Sequence, residues 1–141
     1  MEKIWLKNYP AGVPEEADLD EWPSLKHVFD EACKKYRDLP AFTNMGKTIT
    51  YSELDQQSRY FGAFLQNNAG LEKGDRVAAM LNNCPEFIEL FLAFARLGAI
   101  FVPLNFRLAA AELEYLLKNC RPRLFVFGQE YTDTVRRLDV E

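Results

Sequence analysis

The chain has 141 residues, of which 48% are hydrophobic, 13% aromatic and 27% charged, enough apolar material for one core and far from the composition of disordered chains. Its formal charge of −4 leaves no surplus of Lys and Arg to release counterions from a phosphate backbone, which argues against a nucleic-acid partner. Three widely spaced cysteines, Cys33, Cys84 and Cys120, and the single His27 form neither a disulfide framework nor a zinc knuckle. The thiols are expected to be reduced, and His27 to be structural or on the surface.

Residues 1–23 carry Pro10, Pro14 and Pro23 and the acids Glu15, Glu16, Asp18, Asp20 and Glu21, which favour an extended, solvated arm. The opening stretch has charges at Glu2, Lys3 and Lys7 and no long apolar core, so it reads as neither signal peptide nor anchor. Ser24 is placed to cap a helix in which Leu25, Val28, Phe29, Ala32, Cys33 and Tyr36 make one apolar face, running to about Arg37. Two β-prone runs, Ala41-Phe42-Thr43 and Thr48-Ile49-Thr50-Tyr51, flank Asn44-Met45-Gly46-Lys47, where Asn and Gly are expected to supply the positive φ of a hairpin turn. Ser52 with Asp55 resembles a capping box with Asp in place of Glu. Leu54, Phe61, Phe64 and Leu65 then give the buried stripe of a helix ending near Gly70.

From Gly74 onward strand and helix patterns alternate. The run Arg76 to Leu81 is nearly continuous in apolar residues, as in a strand covered on both faces. Pro85 suits the first turn of a helix carrying Phe87, Ile88, Phe91, Leu92 and Ala95, and Gly98 suits its stop. A second strand, Ala99 to Val102, is closed by Pro103. A helix from about Ala109 to Asn119 turns Leu113, Leu116 and Leu117 inward, and Leu124 to Phe127 makes a third strand. The apolar stretch from Phe87 to Leu104 is broken by Glu89, Arg96, Gly98 and Pro103, so it reads as buried core and not as a membrane span.

This βαβαβ order predicts an α/β fold of three layers. Its mainly parallel sheet has strands near 76–81, 99–102 and 124–127, with helices on both faces and a small hairpin near 41–51. Ligands of such sheets sit beyond the carboxyl ends of the strands, here Asn82-Asn83, Leu104 to Arg107, and Gly128-Gln129-Glu130.

Catalytic motifs are sparse. Gly46-Lys47-Thr48 imitates the tail of a phosphate-binding loop, but the earlier glycine is replaced by Ala41 and a β run follows, so a hairpin turn is expected. Neither G-x-G-x-x-G nor G-x-S-x-G occurs. Glu86 and Glu89, like Glu112 and Glu114, read as helix-start or solvated charges. Asn105 and Arg107 follow Pro103 at a carboxyl strand end, where polar groups face a ligand cleft; turn formation is the plain alternative. Arg136 and Arg137, after the third strand, are placed to meet an anion there, with a solvated helix face as the alternative.

Three segments carry a resemblance: Gly74-Asp75-Arg76-Val77-Ala78, Asn83-Cys84-Pro85-Glu86-Phe87 and Leu97-Gly98-Ala99-Ile100-Phe101-Val102-Pro103-Leu104-Asn105. In order and spacing they resemble the N-terminal region of the adenylate-forming acyl-CoA synthetases. Thr50-Tyr51-Ser52-Glu53-Leu54 and Glu112-Leu113 fall where that family has them. Trp5 to Pro14 and Ala41 to Gly46 are similar to bacterial long-chain fatty acid–CoA ligases, and the likeness runs from Ile4 to about Phe127.

The resemblance implies a parent enzyme that activates a long-chain fatty acid with ATP and Mg²⁺ to an acyl-adenylate and pyrophosphate, then passes the acyl group to coenzyme A. That chemistry needs an anion cradle for the triphosphate and a lysine to stabilise developing charge. The family carries both downstream of the matched region. The chain therefore looks like an N-terminal fragment, residues 1–23 being an arm and residues 24–141 part of a large adenylation domain. Alone, it is expected to hold no cofactor, to supply no catalytic residue and to be inactive. The resemblance assigns the nucleotide end of coenzyme A to Asn105, Arg107, Arg136 and Arg137. It also implies a cytoplasmic enzyme with peripheral membrane contact and a homodimer through the arm. From the residues alone two other readings stay open. One is a stand-alone α/β nucleotide-binding or interaction module, whose receiver-like form is opposed by Asn82-Asn83 where clustered acids belong. The other is an oligomerisation domain, supported by the acidic arm.

Overall fold

A computed structural model describes residues 3–18 and 20–140; expectations that fall on Met1, Glu2, Leu19 and Glu141 lie outside the described residues. In the arm, a 3₁₀ turn at Ile4–Asn8 replaces part of the expected extended run, and none of its residues is buried.

Ser24 caps helix α1 (Leu25–Lys35), its Oγ accepting the N–H of His27 at 3.2 Å. His27 itself is exposed, with its ring 5.9 Å from that of Trp22. Strands β1 (Pro40–Asn44) and β2 (Lys47–Thr50) form the antiparallel hairpin, with Asn44 opposite Lys47. That register leaves Met45 and Gly46 as the two loop residues, at φ +47° and +83°. Met45, and not Asn44, therefore takes the left-handed conformation that a two-residue hairpin loop demands.

Helix α2 (Tyr51–Asn68) starts earlier than its expected cap. Thr50 Oγ1 accepts the N–H of Glu53, and the Glu53 carboxylate accepts the N–H of Thr50 at 2.8 Å. Glu53 has the reach for this reciprocal pair, whereas Asp55 is drawn into an ion cluster described below. The buried stripe of α2 is Leu54, Ser58, Gly62 and Leu65. Phe64 is 56% exposed: ten residues beyond Leu54, it points off that stripe and stacks on Phe61 instead.

Strands β3 (Arg76–Met80), β4 (Ile100–Pro103) and β5 (Leu124–Phe127) make the parallel sheet in the order β4-β3-β5. Val77 lies opposite Phe101 on one side and Leu124 on the other, so β3 is paired along both edges. Helix α3 (Pro85–Leu97) has Pro85 in its first turn and ends on Gly98, which takes φ +68° as a C-terminal stop requires. Helix α4 (Ala110–Cys120) and the single turn α5 (Thr132–Val135) complete the elements.

Alternation along the strands separates two cores. Val77, Ala79, Phe101, Leu124 and Val126 face Leu65 of α2 and Leu90 and Phe94 of α3. Ala78, Met80, Val102, Phe125 and Phe127 face Leu113 and Leu117 of α4 and Val135 of α5. Helices thus cover both faces, as the βαβαβ order predicts. A third cluster packs Phe29 and Cys33 of α1 and Ile49 of the hairpin against Leu54, Ile88 and Leu92. Because α3 serves both the sheet and this cluster, its buried set is Leu90, Leu92, Ala93 and Phe94, wider than the single face read from its spacing.

Candidate functional site

In an open parallel sheet, two loops leaving neighbouring strands toward opposite faces open a crevice at the carboxyl ends. Here the loop after β3 leads to α3 on one face, while the loops after β4 and β5 lead to α4 and α5 on the other. The rim so formed carries Asn82 and Asn83, then Leu104 to Arg107, then Gly128 to Tyr131.

After β4 the chain turns at once. Asn105 Oδ1 accepts the N–H of Arg107 at 2.9 Å, and Asn105 O accepts the N–H of Leu108 at 3.2 Å. Leu104 is buried and anchors the turn on the α4 face, while Asn105 and Arg107 are exposed. The Arg107 guanidinium lies 5.7 Å from the centre of the Phe106 ring. Among the described residues no acid pairs with it. After β5 a 3₁₀ turn at Gln129–Tyr131 is closed by the Tyr131 N–H on Gly128 O at 2.9 Å and by the Thr132 hydroxyl on Gln129 O at 2.6 Å. A Cβ at Gly128 would stand 2.5 Å from Glu130 Oε2, so only glycine lets that carboxylate fold back over the strand end. Asn82 Nδ2 donates to Glu130 Oε1 at 2.6 Å, and the Tyr131 hydroxyl donates to Asn82 Oδ1 at 2.8 Å.

Arg136 and Arg137 follow α5 and are both exposed; Arg136 Nη1 lies 3.8 Å from Asp133. No hydrogen bond or ion pair among the described residues joins them to Asn105 or Arg107. The structure therefore brings Asn105 and Arg107 into one turn and leaves the two later arginines on a separate, solvated turn. Sequence reasoning passed over Tyr131. Its signal was an aromatic with a polar tip just past a strand end, which seeks a partner once half-buried.

Among the described residues three open grooves stand out, of which only the second reaches the rim, at Asn83. One of about 680 Å³ runs between α1 and α2, lined by Asp30, Lys34, Arg37, Asp55 and Arg59. A second, about 270 Å³ and largely apolar, lies between the hairpin and the start of α3, lined by Phe42, Asn83, Phe87 and Ile88. The third, about 760 Å³, lies beside Leu117, Arg121 and Phe125. None contains Asn105, Arg107, Arg136 or Arg137.

Reactive chemistry is correspondingly thin. Burial pushes the thiols of Cys33 and Cys84 up, which keeps them protonated and unsuited to attack. No group of three or more His, Cys, Asp or Glu among the described residues is placed to hold a metal ion. No described helix is long and apolar enough to cross a membrane. Arg107, exposed and unpaired at the end of a parallel strand, suits an anionic phosphate, whereas Asn105 already spends its side-chain oxygen on the turn.

Residues 29–140 match the family model described as AMP-binding enzyme. Over 138 residues, 98% of this chain, it is 40% identical to the long-chain-fatty-acid–CoA ligase of Yersinia pestis and 37% identical to that of Salmonella typhimurium. The chain spans about a quarter of the length of those curated relatives, 25% in each case. Among solved structures, the N-terminal subdomain of Klebsiella oxytoca NpsA in complex with 3-hydroxyanthranilyl-AMSN superposes with a TM-score of 0.77 at 28% identity, over 89% of this chain and 31% of that one.

Proposed function

The chain belongs to the family of AMP-binding enzymes, and from that premise we propose that it is scaffold from a long-chain fatty acid–CoA ligase. That enzyme joins a fatty acid to coenzyme A at the expense of ATP, through an acyl-adenylate. The observation that carries this reading is 40% identity across 98% of the chain to a protein of that activity. In this reading adenylation, and the Mg²⁺ that accompanies ATP, belong to parts of the enzyme outside this chain.

In this reading the rim forms one wall of the site for the nucleotide end of coenzyme A. Arg107 meets phosphate as a fixed positive charge, Asn105 shapes the turn that presents it, and Arg136 and Arg137 add longer-range attraction from the neighbouring turn. A cytoplasmic enzyme with peripheral membrane contact, and pairing of two copies through residues 1–23, belong to the same proposal.

The test is a chimera in which this chain replaces the matching quarter of the Yersinia pestis relative. We expect palmitate-dependent release of pyrophosphate from ATP by the chimera and none from the 141-residue chain alone. Turnover by the isolated chain would overturn the scaffold reading. A folded chimera that is inactive on every fatty acid would overturn the ligase reading.

A further inference from the structure

The turns at the strand ends are each closed by their own backbone: Leu108 N–H on Asn105 O after β4, and Tyr131 N–H on Gly128 O after β5. The side-chain links between these turns are additional, and turn formation does not call for them. Asn82 comes from the end of β3, Phe106 from the end of β4, and Glu130 and Tyr131 from the end of β5. The Tyr131 hydroxyl holds Asn82, Asn82 holds Glu130, and the Tyr131 ring lies 6.2 Å from that of Phe106 at 30°. Phe106 in turn lies against the Arg107 guanidinium. One half-buried tyrosine thus touches the loops of all three strands.

We propose that Tyr131, fixed by Asn82, is a positioning residue that holds Phe106, and through it Arg107, where an anionic phosphate reaches the rim. The inference rests on the reading above, in which that phosphate belongs to coenzyme A. An arginine on a long flexible side chain loses rotamer freedom when it binds, and a pre-placed aromatic support lowers that loss. Gly128 belongs to the same device. By admitting the Glu130 carboxylate it gives Asn82 Nδ2 an acceptor, which fixes the amide so that its oxygen faces the Tyr131 hydroxyl.

The experiment uses the chimera and compares Arg107→Ala, Tyr131→Leu, Tyr131→Phe and the double variant. Removing a charged contact to phosphate should raise the KM for coenzyme A on the order of tenfold in Arg107→Ala. Loss of the tyrosine ring should raise it about threefold in Tyr131→Leu, with the KM for ATP unmoved. Tyr131→Phe, which keeps the ring, should recover part of that loss. The double variant should be no worse than Arg107→Ala alone, because the two residues act through one contact. If Arg107→Ala raises the coenzyme A KM and Tyr131→Leu does not, or if the two effects add in full, the positioning role is refuted and the rim reading survives. If Arg107→Ala leaves that KM unchanged, the rim reading fails and the inference falls with it. A nuclear magnetic resonance readout on the chimera separates placement from folding: the Arg107 Nε–H signal should shift in Tyr131→Leu while signals from β3 stay in place.

Discussion

Arg96 shows how one residue can organise what surrounds it. It sits in the apolar run Phe94-Ala95-Arg96-Leu97, and a charge there must find acids or leave the core. Its side chain, 9% exposed, bonds Asp30 of α1, Asp55 of α2 at 2.5 Å and the buried Ser58 hydroxyl at 3.1 Å. Lys26 adds a bond to Asp30 at 2.6 Å, and Arg59 adds one to Asp55 at 3.0 Å. One guanidinium therefore staples three helices. Replacing it with Met leaves two carboxylates short of a partner; since both keep access to water, the loss should be about 2 kcal/mol, below that for a fully buried pair. A denaturant midpoint lowered by that amount at unchanged slope would bear this out, and a shift within a few tenths would show the staple to be ornamental.

The same cluster sets a pH dependence. Burial pushes the Asp30 carboxyl up, but hydrogen bonds from Lys26 and Arg96 outweigh that and hold it below its ordinary range. A carboxyl with a lower pKa in the folded state stabilises the fold fully above its unfolded value, and that stability is lost as pH falls through the folded value. Stability curves of the native chain and Asp30→Asn should therefore lie apart above about pH 5 and converge in acid. The sequence marked Arg96 only as a break in an apolar stretch, because periodicity carries no information about which distant acids will arrive to meet it.

Among the elements, existence was legible and the ends were not. Helix α2 was expected to start at Ser52, yet Thr50 is its cap and Glu53 its reciprocal partner. Both pairs share the spacing, but Asp is one methylene shorter than the Glu of a capping box, and Asp55 is claimed by Arg96 and Arg59, a tertiary contact. Thr50→Ala should cost about 1 kcal/mol and Ser52→Ala much less, as separate melting curves would record. Equal losses would restore the later cap. The hairpin loop carries a comparable misfit. Met45 is wholly exposed at φ +47°, so no side-chain packing among the described residues repays its left-handed backbone. Exchanging it for Asn, which tolerates that region, should stabilise the fold by about 0.5 kcal/mol. On α3, the sequence marks Glu89, with Glu86, as a helix-start or solvated charge, but it is half-buried, and burial, then Glu86, pushes its carboxyl up.

At the scale of the whole molecule, three apolar runs and two crossover helices made a parallel sheet legible, but not which strand lies in the middle. The runs at 76–80, 100–103 and 124–127 are alike in composition, and what separates them is pairing. Strand β3 is bonded on both sides, and Val77 to Met80 are wholly buried, whereas the residues of β5 are only partly buried and Ile100 of β4 is half in solvent. An apolar strand with an open edge, lacking charge or proline along its length as β5 does, is the arrangement that isolated domains avoid. Amide exchange should resolve this. In the chain alone, the β3 amides should open only with global unfolding, while the outward amides of β4 and β5 exchange through local opening at least tenfold faster. In the chimera the β5 amides should slow toward those of β3, because a continuous apolar run suits a strand flanked on both sides. Equal protection of all three strands in the chain alone would mean that its edges are already covered. Unchanged β5 exchange in a folded chimera would leave that strand as a true sheet edge.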